Sequence, residues 1–122
     1  MGFGNILMGG SKGWTFKNHW KSMTFCGIKA VAHSYGSGTA DWNLSESECG
    51  ASYISCTLAG GAVNAIIPAA HAIAGKVYVL YNNSGANVTL KVSGQTGIAV
   101  ATTKMAILVC NGTDIARVTA DT

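Results

Sequence analysis

The clearest structural signal in this chain is Gly75-Lys76-Val77-Tyr78-Val79-Leu80-Tyr81-Asn82-Asn83-Ser84-Gly85. Valine and tyrosine favour β-strands, and the closing Asn, Ser and Gly residues are typical of a turn. Within the run, Val77, Val79 and Tyr81 alternate with Tyr78 and Leu80, so both faces of the predicted strand are apolar. Such a strand is buried on two sides or packs against a neighbouring subunit.

Similar short apolar segments lie on either side of this run and are separated by turn residues. Asn111-Gly112 predicts a hairpin because a type I′ turn needs positive φ at both positions, and Asn83-Ser84-Gly85 and Ser93-Gly94 predict similar turns. A chain of 122 residues is one domain by length. We therefore expect an all-β, single-domain β-sandwich or jelly-roll-like fold. The predicted strands are 51–58, 62–67, 76–82, 87–92, 105–110 and 114–119.

One helical turn is expected in Asn43-Leu44-Ser45-Glu46-Ser47-Glu48-Cys49-Gly50. Asn43 or Ser45 is suited to cap its start, and Gly50 is suited to end it. The two glutamates stand near the helix N-terminus, where the helix dipole favours negative charge.

Residues 1–44 differ in composition from residues 45–122. They hold all three tryptophans, seven of the ten aromatic residues, and four lysines that precede the first acidic residue, Asp41. We interpret 1–44 as an extended N-terminal arm with an aromatic-rich basic segment, and 45–122 as the β-sandwich module. Within the arm, Trp14/Phe16 and Met23/Phe25 each stand two positions apart, which is typical of short strands.

The aromatic and basic side chains of this arm are the candidate interface. Aromatic side chains anchor interfaces because they bury a large area at low entropic cost. Two other roles stay open for the tryptophans, namely stacking on carbohydrate (Trp14 or Trp20) and ordinary packing in the core. The predicted interface residues are Trp14, Phe16, Lys17, Trp20, Lys21 and Trp42.

The overall composition favours a protein that functions through surface contacts with other subunits. Charged residues make up 11% of the chain and hydrophobic residues 48%, whereas charged residues average about a quarter of a soluble domain. The chain therefore exposes much neutral surface, as subunits of oligomers and lattices do, or is a Gly/Ala/Ser-rich β protein with a neutral surface. A net charge of +3, carried by dispersed lysines, does not predict specific nucleic-acid binding.

Enzyme activity is not predicted. The chain has no Gly-x-Ser-x-Gly elbow. His33 lies beside a glycine loop and His71 lies in an alanine-rich connection, so we interpret both as exposed or core histidines and not as catalytic bases. A hydrolase would need activity that is lost on changing one of them. We expect no cofactor and no small-molecule substrate.

The cysteines do not stand at metal-ligand spacing from each other or from a histidine. We expect them to be reduced and structural, with Cys49–Cys56 the pair to test first as a disulfide, and we predict no metal site. They are Cys26, Cys49, Cys56 and Cys110.

The opening residues lack the basic and apolar regions of a secretory signal, and no apolar stretch reaches the roughly 20 residues that span a bilayer. We therefore expect synthesis and assembly in the cytoplasm and no membrane partner.

Nearly two-thirds of the chain resembles a β module that recurs in virion proteins of tailed bacteriophages, in capsid decoration (cement) proteins, head fibres and tail-fibre segments. The resemblance covers 45–121. It rests on Leu44-Ser45-Glu46-Ser47-Glu48, Ser52-Tyr53-Ile54, Val63-Asn64-Ala65-Ile66-Ile67-Pro68, Gly75-Lys76-Val77-Tyr78-Val79, Asn82-Asn83-Ser84-Gly85, Val88-Thr89-Leu90-Lys91-Val92, Gly97-Ile98-Ala99-Val100 and Leu108-Val109-Cys110-Asn111-Gly112-Thr113-Asp114-Ile115.

This resemblance implies a β-sandwich or jelly-roll-like fold, frequent trimers and a place on the virion surface. We expect a capsid decoration protein that binds and stabilises the assembled head, with the major capsid protein lattice and other copies of itself, as a homotrimer, for partners. The alternative is a tail or head-fibre component, including an adhesion module that binds host-surface carbohydrate.

Overall fold

The computed structural model of the chain describes residues 29–119. They form strands in two sheets, one short α-helix and one 3-10 turn at Ala69–His71. The strands are β1 Ala30–Ser34, β2 Trp42–Asn43, β3 Tyr53–Thr57, β4 Val63–Ile67, β5 Val77–Asn83, β6 Val88–Val92, β7 Ile98–Val100, β8 Met105–Cys110 and β9 Ile115–Arg117, and the helix α1 is Glu46–Cys49.

The chain passes back and forth between the two sheets. The five-stranded sheet has the order β1-β3-β5-β8-β9 and the four-stranded sheet the order β2-β4-β6-β7. β1, β3 and β5 are parallel, and so are β2, β4 and β6, whereas β7, β8 and β9 join by antiparallel pairing. The chain therefore winds through three two-strand coils and is completed by antiparallel strands.

The core lies between the sheets and is built by the period-2 alternation of their strands. In β5, Tyr78, Leu80 and Asn82 are buried while the residues between them are not. The four-stranded sheet contributes Ile67, Leu90 and other fully buried residues from its inner face. Burial of each such Leu or Ile side chain contributes roughly 1.5–3 kcal/mol, which makes this packing the main source of stability.

The predicted all-β fold is confirmed, and all six predicted strands are present within two residues of their predicted ends. The predictions lacked β1, β2 and β7. Two of these, β1 and β2, lie inside 1–44, so the sheets begin before the predicted module boundary. Residues 1–28, and with them most of the predicted arm and the predicted strands around Trp14 and Met23, lie outside the described residues.

The predicted helical turn is confirmed at α1, and its start is held by a capping box. The Glu48 N–H donates to Ser45 Oγ at 3.2 Å, and the Ser45 N–H donates to Glu48 Oε1 at 2.8 Å. This exchange satisfies two backbone donors at the helix start. Gly50 follows the last helical residue, as predicted, although its φ of −75° is one that any residue adopts.

The predicted turns differ in what they join. Asn111-Gly112 lies in a β8–β9 hairpin, as predicted, but the loop is four residues long, with Asn111 Oδ1 accepting the N–H groups of Thr113 and Asp114 at 2.9 and 3.0 Å. Residues 93–97 connect the antiparallel β6 and β7. Asn83-Ser84-Gly85 is not a hairpin, because it carries the chain from β5 to β6 in the opposite sheet.

The loops fall at two ends of the sandwich. The first end carries residues 35–41, 58–62, 84–87 and 101–104, which include the connections made after β1, β3 and β5. The second end carries α1 and the loops at 68–76, 93–97 and 111–114. Each end therefore gathers segments that are far apart in the sequence.

Candidate interaction surface

The outer surface of the five-stranded sheet carries apolar side chains together with uncharged polar ones. Strand register aligns the side chains that alternate with the buried ones, so they form one continuous layer on this side. We call this layer the uncharged face. Its residues are Ala30, Ala32, Ser34, Tyr53, Ser55, Thr57, Val77, Val79, Tyr81, Asn83, Met105, Ile107, Val109 and Ala116.

Large apolar side chains of the uncharged face are open to solvent. Val77 is 46% exposed and Ile107 is 40% exposed, and Val118, which follows β9 beside Ile107, is 56% exposed. A single exposed apolar residue is ordinary, but a contiguous patch on a sheet marks an interaction surface. The two apolar sides of the strand at 76–82 were the signal for this surface in the sequence.

The outer surface of the four-stranded sheet is different. Its outward positions include Asn43, Asn64, Thr89 and Lys91, and the Asn64 amide donates to Asp41 Oδ1 at 2.9 Å. These polar side chains can hydrogen-bond to water or to each other, so burying them against a partner would contribute little free energy. The two sides of the sandwich are therefore unequal, and the uncharged face is the side suited to contact.

Of the predicted interface residues, only Trp42 lies within the described residues. It is in the core, 7% exposed, and its ring stacks on His33 with centroids 4.2 Å apart and planes 2° from parallel. This pair joins β1 of one sheet to β2 of the other. Trp42 therefore has little surface to offer a partner. Trp14, Phe16, Lys17, Trp20 and Lys21 lie outside the described residues.

The two histidines considered as bases lie far apart in the fold. His33 is packed between Trp42 and the edge of the Tyr35 ring, at 4.6 Å between centroids. Burial lowers the pKa of His33, although Glu48 acts in the opposite direction. His71 lies at the second end, in the 3-10 turn. The structure therefore does not bring the two imidazoles into one site.

The described cysteines are free and buried. Burial raises the pKa of the Cys56 thiol to about 12, and burial also raises the pKa of the Cys49 thiol. Both thiols are therefore protonated and unreactive near neutral pH. Within residues 29–119, no three His, Cys, Asp or Glu residues lie close enough together to hold a metal ion.

An open groove of about 490 Å³ lies at the first end. Within the described chain, the non-glycine residues with positive φ all line it: Ser37 at 66°, Leu58 at 57° and Thr103 at 62°. The left-handed region costs such residues about 1–2 kcal/mol each, so these loops are strained. The groove lining is neutral and offers hydroxyl and amide groups; it consists of Ser37, Leu58, Ala59, Asn83, Ser84, Gly85, Thr102 and Thr103.

A smaller cavity of about 240 Å³ lies at the second end, beside α1. Lys76 Nζ donates to the Ala51 carbonyl at 2.7 Å and lies 4.3 Å from the centroid of the Tyr78 ring. Burial lowers the pKa of Lys76 and raises that of Tyr78 to about 12. The ammonium is already held by a carbonyl and a ring, so its role here is to close the end of the core.

Comparisons with known proteins give no match: no family model, no curated protein and no solved structure is similar to this chain. Among residues 29–119, no helix has the length and apolar character needed to cross a bilayer.

Proposed function

We propose that this protein is a structural component of a bacteriophage particle, a capsid decoration protein that binds and stabilises the assembled head. The observation that supports this proposal most is the uncharged face, a layer of apolar and neutral side chains across the whole five-stranded sheet. Association through such a layer is driven by removal of apolar surface from water, at roughly 25 cal/mol per Å². The resemblance of residues 45–121 to virion β modules is the reason for placing this surface on a bacteriophage particle.

The size of the uncharged face favours many weak contacts over one strong contact. Five strands at a spacing of about 4.8 Å, each with about five residues rising 3.3 Å, present a sheet area of roughly 400 Å². A stable pairwise interface buries about 800 Å² on each partner. One face is therefore small for a tight dimer. It suits a subunit whose many linked copies act together on a lattice.

A trimer fits this surface, because three copies that turn the uncharged face toward a common axis bury it in a closed core. Closed cyclic symmetry of this kind also leaves no free copy of the patch to extend the assembly. The polar side of the sandwich, with Asn64, Thr89 and Lys91, then faces the solvent. The site of action is the capsid surface of a virion assembled in the host cytoplasm.

Co-sedimentation with empty capsid shells of the encoding phage tests this function. The wild-type protein should sediment with the shells as a trimer, because burial of the uncharged face between copies links three weak shell contacts. Ile107→Lys should lose sedimentation because it separates the trimer into monomers, and Thr89→Lys on the polar side should keep it. Absence of the wild-type protein from the shell pellet would contradict decoration.

The second candidate function is adhesion, in a tail or head-fibre component that binds host-surface carbohydrate. The observation in its favour is the neutral groove at the first end, where the hydroxyl groups of Ser37 and Thr103 lie beside the exposed side chain of Leu58. Sugar binding by the isolated protein, together with no binding to capsid shells, would favour this function. Loss of that binding in a Thr103→Val variant would place the sugar in the groove.

A further inference from the structure

The β8–β9 loop carries the one Asn-Gly pair of the sequence, Asn111-Gly112, and both residues are exposed to solvent. An asparagine followed by glycine is chemically labile, because the glycine nitrogen can attack the carbonyl carbon of the asparagine side chain. Glycine has no side chain to obstruct this approach. The loop therefore places an electrophile, the Asn111 amide, next to a nucleophile, the Gly112 nitrogen.

Two backbone donors hold the Asn111 side chain. Its Oδ1 accepts the N–H of Thr113 at 2.9 Å and the N–H of Asp114 at 3.0 Å. Attack on the side-chain carbonyl places negative charge on this same oxygen. Fixed N–H donors stabilise such a developing charge more than they stabilise the neutral amide. The arrangement is that of an oxyanion hole built within one hairpin loop.

The rest of the loop keeps these donors in place and leaves the nucleophile weakly held. The Asn111 N–H donates to the Asp114 carbonyl at 3.0 Å and closes the loop. The Asp114 carboxylate is fixed in turn by the Gly97 N–H at 2.8 Å. The Gly112 N–H donates to the Cys110 sulfur at 3.4 Å, and sulfur is a weak acceptor. The proton of the Gly112 nitrogen is therefore not retained by a strong hydrogen bond.

We propose that Asn111 is a self-modification site, which deamidates in the folded protein with the help of the Thr113 and Asp114 N–H groups. The Gly112 nitrogen gives its proton to water and bonds to Asn111 Cγ. The side-chain nitrogen takes up a proton and leaves as ammonia, so that a succinimide ring remains. Water then opens the ring at either carbonyl carbon and yields aspartate or isoaspartate. The net reaction consumes one water and releases one ammonia.

The modification changes the second end of the sandwich. A carboxylate replaces a neutral amide, so the formal net charge of the chain falls by one from +3. The new charge lies three positions before Asp114, whose own carboxylate ties this loop to Gly97, and like charges repel. Isoaspartate also lengthens the backbone of the loop by one methylene. Deamidation therefore weakens the contact between the loop and the other sheet, and because it needs only water it does not depend on the proposed function.

Peptide mass spectrometry of the full-length protein during incubation at neutral pH tests the proposal. The folded protein should convert Asn111 faster than the same chain unfolded in guanidinium chloride, by roughly tenfold, since preorganised oxyanion donors act only in the folded loop. Asn83, an exposed asparagine followed by serine, is the internal control and should stay intact. A rate in the folded protein that does not exceed the rate in the unfolded chain would overturn the proposal.

Two variants at position 113 separate the backbone donor from the side chain. Thr113→Pro removes one N–H donor to Asn111 Oδ1, so conversion in the folded variant should slow toward the rate of the unfolded chain. Thr113→Ala keeps the N–H and should keep the wild-type rate. Thermal unfolding checks that both variants fold, and if Thr113→Pro does not, the comparison of folded and unfolded wild type still decides. Conversion at the wild-type rate in folded Thr113→Pro would overturn the role of the donors.

Discussion

The carboxylate of Asp114 accepts a hydrogen bond from the backbone N–H of Gly97 at 2.8 Å. Its other oxygen accepts from the Val92 N–H at 3.3 Å. Asp114 belongs to the β8–β9 loop and Gly97 precedes β7, so one side chain ties together loops of the two sheets at the second end. The stability that these two hydrogen bonds contribute therefore depends on the ionisation of Asp114, and so on pH.

Asp114→Asn should lower the free energy of unfolding at pH 7 by about 1 kcal/mol, because an amide is a weaker acceptor than a carboxylate. Burial raises the pKa of Asp114, but backbone donors led by Gly97 outweigh it and hold the pKa below its ordinary value. The stabilisation is therefore present above the unfolded pKa of about 3.9. It is lost as the pH falls through the lower folded pKa.

Urea unfolding at pH 7 and pH 3 measures this effect. The difference between wild type and Asp114→Asn should shrink at the lower pH. Glu46→Gln, which removes one negative charge from an exposed side chain, serves as the control and should change stability little at pH 7. A deficit of Asp114→Asn that is equal at both pH values would show that the charge is not the cause.

Gly97→Ala should destabilise the fold by more than about 3 kcal/mol. Its φ is +72°, and an added Cβ would stand closer than 3.0 Å to the Leu90 carbonyl oxygen and to Lys91. Gly94, in the same loop, has φ +81° with open space around it. Gly94→Ala should therefore lower the free energy of unfolding by only about 1–2 kcal/mol, which is the cost of the left-handed conformation for a residue with a Cβ. Similar thermal unfolding temperatures for the two variants would refute the close approach at Gly97.

Asn82→Ala should destabilise by about 3 kcal/mol, because unpartnered buried polar groups are costly. Asn82 is 0% exposed; its amide donates to the Ala86 and Val100 carbonyls at 2.7 and 2.9 Å, and its carbonyl accepts from Ser84 Oγ at 2.6 Å. The neighbouring Asn83 is exposed, and Asn83→Ala should stay within about 0.5 kcal/mol. Denaturant unfolding compares them, and equal losses would argue against the buried network.

Much of the fold was predictable because local sequence patterns determine several of its elements. The alternation of Val77 to Tyr81 and the turn residues after it located β5, and the spacing of Ser45 and Glu48 located α1. Parallel pairing was not predictable in this way, since alternation looks the same in parallel and antiparallel strands. Unequal coil lengths of 23 to 26 residues also hide the repeat from a search for a fixed period.

The missed strands and the position of Trp42 share a physical reason. β1 consists largely of small residues, Ala30-Val31-Ala32-His33-Ser34, and β2 has only two residues, so pairing with β3 and β4 defines them more than their own sequence does. Trp42 is buried because His33 from the other sheet stacks on it. Only residues 76–82 signalled the uncharged face in the sequence, because strand register brings its other residues together from distant parts of the chain.

The absolute mass of the protein in solution, measured by light scattering, tests most directly the claim that the uncharged face is an assembly surface. Wild type and Thr89→Lys should have the mass of a trimer, and Ile107→Lys should have the mass of a monomer, because burying an unpaired lysine costs several kcal/mol per subunit. A wild-type protein that is monomeric at every concentration, or a trimer that persists in Ile107→Lys, would contradict the account.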